Sequence, residues 1–154
     1  MGQYHYLVNL TKKQFVNPHN IGNGLKLHEQ IGFDCSTATA LTMLLACSNG
    51  RGGGDFQSKS PLMGSWAGDK IAFIGDYTEK GDIKGVNTVN IYKACSANAK
   101  GFRDISLEVC KMMSQEFGVR YTGTGWKDIV EDSNNSWVKS KCTPDLVMFA
   151  NSPN

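Results

Sequence analysis

Asp34-Cys35-Ser36-Thr37-Ala38-Thr39-Ala40-Leu41-Thr42-Met43-Leu44-Leu45-Ala46-Cys47-Ser48-Asn49-Gly50 is the stretch on which the fold turns. Asp34 and Ser36 are both N-cap residues by type, and Asn49-Gly50 is a helix stop, so a helix is predicted over 36–48. Its side chains are apolar on almost every side, which predicts a helix buried all round at the centre of the fold. The threonines are small enough to pack and can bond back to the preceding turn.

Outward from that helix, elements of both kinds appear. Tyr4 to Asn9 and Gln14-Phe15-Val16 read as a hairpin that Pro18 ends. Leu25 to Gln30 reads as a short helix. Lys70 to Tyr77 reads as a central strand, because its core is apolar without alternation. A helix is expected to start near Thr88. Ile105 to Phe117 is amphipathic, with Ile105, Val109, Met112, Met113 and Phe117 on one face and Gly118 closing it. Val119-Arg120-Tyr121 and Leu146 to Phe149 read as two further strands. The expectation is one globular α+β domain over 1–154, a mixed or antiparallel sheet packed on a buried central helix (36–48) and an amphipathic helix (105–117).

Composition bounds the function. The chain has 154 residues, 40% hydrophobic and 19% charged, with a formal net charge of +2. That is a globular balance with no basic run, so nothing signals nucleic acid. The N-terminus has no basic region followed by an apolar one, and the longest apolar run, Ala38 to Cys47, is too short to span a bilayer. The 5 cysteines, at 35, 47, 95, 110 and 142, include no C-x-x-C pair. Reduced thiols in the cytoplasm are the expectation, with no metal site and no cofactor. His19 and His28 lack a third ligand of evident spacing.

Cys35 is the residue that most suggests chemistry. A thiol in the first turn of a helix meets unpaired N–H groups and the positive end of the helix dipole, which favour thiolate. The context Phe33-Asp34-Cys35-Ser36 resembles the nucleophile motif of the papain-like cell-wall peptidases. In those enzymes the cysteine opens a central helix and the histidine follows it, whereas His5, His19 and His28 all precede Cys35 here. A circularly permuted arrangement, as in the lecithin retinol acyltransferase-like proteins, puts the histidine strand first. That resemblance implies a Cys35–His5 dyad in a thiol-dependent hydrolase or acyltransferase, with His5 as general base.

The second candidate is the glycine-rich run Arg51-Gly52-Gly53-Gly54-Asp55, within a long connection that also carries Trp66. Glycines allow close backbone approach and Arg51 suits a phosphate, which points to a nucleotide or other small-molecule ligand. The run follows a helix C-terminus, however, and matches no known phosphate loop. It also suits a partner-binding surface. Asp76 and Tyr77, at the carboxyl end of the 70–77 strand, are further binding candidates. The Gly-Asp pairs at Asp69, Asp76 and Asp82 are equally ordinary turn chemistry.

Met1-Gly2-Gln3-Tyr4, Val8-Asn9, Pro18-His19, Gly24-Leu25-Lys26-Leu27 and the Asn49-to-Asp55 run are together similar to short uncharacterised single-domain proteins of bacteria and their phages. The resemblance implies a free-standing domain and brings no activity. The leading expectation is therefore a small intracellular binding protein, a phage- or mobile-element-encoded factor that engages or inhibits a host protein. A thiol enzyme at Cys35 and nucleotide binding at 50–55 are the alternatives.

Overall fold

The computed structural model describes residues 2–32, 34–123 and 126–128. Its elements run β1 (His5–Asn9), β2 (Gln14–Val16), α1 (Thr37–Leu44), β3 (Ile71–Gly75), α2 (Thr88–Ser96), β4 (Arg103–Asp104), α3 (Ser106–Phe117), β5 (Val119–Tyr121) and β6 (Trp126–Asp128). Two 3-10 turns, Pro18–Ile21 and Leu27–Gln30, join the hairpin to α1. The α+β class and the mixed sheet agree with expectation: four strands in the order β3-β1-β2-β4, and a separate pair β5-β6. The strand expected at Leu146 to Phe149 lies outside the described residues.

The alternation of β1 divides the core in two. Tyr6 and Val8 face one side, with Phe15, Ala72 and Ile74 from the neighbouring strands and Ile91, Tyr92 and Cys95 from α2. Leu7 faces the other, with Val16, Ile71 and Phe73, and is covered by Ala40, Met43 and Leu44 of α1 and Val109, Met112 and Met113 of α3. Register explains the segregation: Leu7 stands opposite Val16 and Phe73, and Val8 opposite Phe15 and Ala72. A one-residue slip would exchange the two sets. The Met112-Met113 pair is fully buried, as its spacing predicts.

Three expectations change. Among the described residues the 70–77 segment has β1 as a neighbour on one side only, where a central strand would have two. Its unbroken apolar character comes from cover on both faces, by α2 and by the α1–α3 side, which does not require two strand neighbours. Helix α1 ends at Leu44, well short of Ser48. In a continued helix the N–H groups of residues 47 and 48 would bond the carbonyls of Met43 and Leu44. Here Gly64 N–H takes the Met43 carbonyl and Trp66 N–H that of Leu44, each at 2.9 Å. The third change follows from the second. With α1 shortened, Leu45 and Cys47 are exposed, and Ala38 and Leu41 are only half-buried, so α1 is not buried all round and Cys47 is not core packing.

The remaining boundaries have visible causes. Ser36 Oγ accepts Thr39 N–H at 3.2 Å and caps α1. Asn87 Oδ1 accepts Asn90 N–H at 3.1 Å and starts α2 at Thr88, where the sequence placed it. Strand β4 pairs parallel to β2, opposite Gln14 and Phe15, and runs into α3 with Ser106 N–H on Asp104 Oδ1 at 2.8 Å. No helix among the described residues is long and apolar enough to cross a membrane.

The close approach of the returning loop to α1 makes a sharp demand at Gly64. Its φ is +72° and an added Cβ would stand 2.6 Å from the Ala46 carbonyl oxygen. Gly64→Ala is expected to cost about 2 kcal/mol or more, from left-handed strain plus backbone displacement. Gly53→Ala, whose Cβ would meet open space, is expected to fall within about 0.5 kcal/mol of wild type. Denaturant unfolding of the two variants checks the contrast.

Candidate functional site

Between Leu45 and Asp69 the chain has no regular secondary structure, yet it is tied to four elements. Trp66 is fully buried and its indole N–H donates to Gln14 Oε1 on β2 at 2.8 Å. Glu116 on α3 accepts from Gln57 N–H at 2.6 Å and Ser58 N–H at 2.9 Å. Lys12 and Asn9 both hold the Asp69 carboxylate, at 2.6 and 2.8 Å. With the two bonds to α1 described above, the connection is a fixed piece of structure.

The glycine-rich run closes on itself. Asn49 and Phe56 exchange two bonds, Phe56 N–H to Asn49 Oδ1 at 2.8 Å and Asn49 Nδ2 to the Phe56 carbonyl at 2.9 Å. Inside that bracket Asp55 Oδ2 accepts the N–H groups of Gly50, Arg51 and Gly52 at 2.8, 2.9 and 3.0 Å. Successive N–H groups converging on one point make an anion-holding concavity. The chain's own carboxylate occupies it, and those N–H bonds hold the Asp55 carboxyl below its ordinary range. Three of the loop's backbone donors, those of Gly50, Arg51 and Gly52, are thereby engaged.

What the loop presents outward is a cleft of about 450 Å³. Its lining includes Cys47, Ser48 and Arg51 from one part of the connection and Phe56, Lys59 and Met63 from another. Arg51 and Lys59 are exposed, neither has an ion pair among the described residues, and none of the described lining residues is acidic. A cleft lined by two cations without ion pairs and by apolar Phe56 and Met63 suits an anionic group attached to an apolar body. Arg51 and the glycines thus lie in or beside the cleft. Trp66 does not: it anchors the loop from beneath. Lys59 escaped notice in the sequence because a lone lysine between serines carries no signal, and Glu116 because its partners lie 58 and 59 residues away.

The environment of Cys35 differs from that of an activated thiol. It sits ahead of the Ser36 cap, buried at 3% exposure in the cluster that contains Leu7 and Trp66. The helix-start donors are taken: Asn23 Oδ1 accepts Thr37 N–H at 2.9 Å, and Ser36 Oγ takes that of Thr39. Burial, with the Asp34 carboxylate adding to it, pushes the thiol up to about 12. His5 shares the Leu7 face of β1, so it and Cys35 are on the same side of the sheet. Its backbone is fixed by N–H to the Leu25 carbonyl at 2.8 Å and by Gln30 Nε2 on its own carbonyl at 3.1 Å. Burial lowers the imidazole pKa, against the opposing pull of Asp76. Among the described residues no hydrogen bond joins the thiol to His5, and His5 Nδ1 is buried without a partner.

Asp76 and Tyr77 lie at the far end of β3, both exposed, with Asp76 Oδ1 accepting Tyr4 N–H at 2.9 Å. They are not brought to the cleft by any described contact. Comparison with known proteins adds nothing to these assignments: no family model, no curated protein and no solved structure matches the chain.

Exposure and pKa together order the thiols. Alkylation near neutral pH is expected to modify exposed Cys47 well before Cys35, whose raised value leaves on the order of a thousandfold less thiolate than an ordinary cysteine. Peptide mapping against time reads this directly. Cys35 reacting first would contradict the buried, unactivated geometry.

Proposed function

We propose that this chain is a non-catalytic binding protein that engages an acidic segment of an intracellular partner protein through the cleft of residues 46–67. The observation that carries the reading is the pair of cations without ion pairs among the described residues, Arg51 and Lys59, on a cleft whose frame is held by side-chain and backbone bonds. A preformed frame loses little conformational freedom on association, and charge complementarity supplies orientation and on-rate.

The two other readings have less behind them. Nucleotide binding at 50–55 would need backbone donors, and Asp55 holds those of Gly50 to Gly52. A hydrolase or acyltransferase using Cys35 and His5 has both residues on one side of the sheet in its favour. Against it stands a thiol that burial keeps protonated at neutral pH.

A fluorescent peptide rich in Asp and Glu with interspersed apolar residues tests the proposal by anisotropy. Arg51→Glu with Lys59→Glu is expected to weaken binding about tenfold or more, and binding to wild type is expected to weaken with salt. Lys80→Glu with Lys84→Glu, an equal charge change outside the cleft lining, is the matched control. Equal loss in cleft and control variants, or no binding by wild type, would remove the support for this site.

A further inference from the structure

Among the described residues, strand β3 is paired on one side only, by β1. In the β1–β3 ladder Leu10 N–H bonds the Lys70 carbonyl and Asp76 N–H the Tyr4 carbonyl. With the register Tyr6 opposite Ile74 and Val8 opposite Ala72, residues 70, 72, 74 and 76 direct their backbone groups at β1. The alternation of an antiparallel ladder then turns those of Ile71, Phe73 and Gly75 away from β1, to the edge that no described strand occupies. Sheet edges are ordinarily blunted by charge, proline or a bulge. The strand Ile-Ala-Phe-Ile-Gly carries neither charge nor proline, and it keeps an unbroken register.

We propose that this edge pairs with the β3 edge of a second copy, antiparallel, about a two-fold axis at Phe73. The sequence is self-complementary about that residue. Phe73 meets its twin and can exchange both backbone bonds with it. Ile71 meets Gly75, whose N–H bonds the Ile71 carbonyl, while the Gly75 carbonyl already holds Thr78 N–H at 3.1 Å. One step further out Lys70 stands opposite Asp76 at both ends of the ladder, on the same face of the sheet. Lys70 and Asp76 are both exposed, and neither has an ion pair among the described residues.

That charge pairing selects a second copy as the occupant. An arbitrary extended peptide would match the backbone groups, but Lys70 and Asp76 are placed so that this strand complements itself. Cross-strand opposite charges and aromatic pairs each stabilise a ladder, and like charges in the same places oppose it. The opposite sheet edge is β4, two residues long and paired parallel to β2, so a head-to-tail chain of sheets has no matching surface. The result is a closed, isologous dimer with a continuous sheet across both copies.

Sedimentation equilibrium over a concentration series tests it on the whole chain. Wild type is expected to be a concentration-dependent dimer. Lys70→Glu alone is expected to weaken dimerisation about tenfold, by replacing attraction with repulsion at two symmetric positions. Asp76→Lys alone should do the same, and the double exchange should restore the dimer. Phe73→Pro removes the N–H that faces the partner and is expected to abolish dimerisation, with the charge exchanges deciding the question where loss of the ring from the Leu7 core lowers the helical circular dichroism signal. A chain monomeric at every concentration, a dimer that survives Phe73→Pro, or one that the double exchange fails to restore would overturn the proposal.

Discussion

The Met43 and Leu44 carbonyls at the end of α1 decide the rest of the architecture. A helix that continued would satisfy them from within. Instead the chain runs on for about twenty residues and returns, and the N–H groups of Gly64 and Trp66 take their place. That exchange carries the Trp66 side chain into the core, where its indole finds Gln14 on β2. A buried tryptophan of this kind contributes about 3–5 kcal/mol by comparison with alanine. A connection fixed at that point no longer has the freedom of an ordinary loop.

The cleft depends on this anchoring. Once the segment is held at Trp66 and along α3 by Glu116, its glycine-rich portion has only to close locally, and Asp55 does so with three backbone bonds. The carboxylate has two consequences. It turns the Gly50–Gly52 N–H groups inward, so the loop resembles a phosphate cradle in composition but not in available donors. It also sets the backbone of Arg51, which with Lys59 lines a cleft whose described lining residues include no acid. The charge of the cleft is therefore local, which fits a chain whose total charge is close to zero.

Most elements of the fold were legible because they are decided by neighbours in sequence. The β1–β2 hairpin, the start of α2 at its Asn87 cap and the methionine face of α3 all follow from local pattern. The end of α1 was not, because the competing donors come from residues 64 and 66. That β3 has a single neighbour among the described strands was hidden for a related reason: apolar residues on both faces report cover, not strand neighbours. At the candidate sites, residue type was a good guide to where unusual geometry occurs and a poor one to its chemistry. Cys35 does lie beside a helix start, but Asn23 and Ser36 had already taken the donors that would have activated it. Trp66 marked an important position and proved to be an anchor rather than a contact.

The central claim is that residues 45–69 form a fixed framework, and residue-resolved amide hydrogen exchange measures it most directly. The Gly64 and Trp66 amides are expected to exchange as slowly as those of the α1 core. The Gly50, Arg51 and Gly52 amides should be protected relative to the free peptide at neutral pH. Because the Asp55 pKa lies lower in the folded chain than in the unfolded one, the tie is complete above the ordinary carboxylate range. It weakens only as pH falls through the depressed value. Free-peptide exchange at Gly64, Trp66 and 50–52 under neutral conditions would contradict the account, since neither the α1 exchange nor the Asp55 closure would then hold in solution.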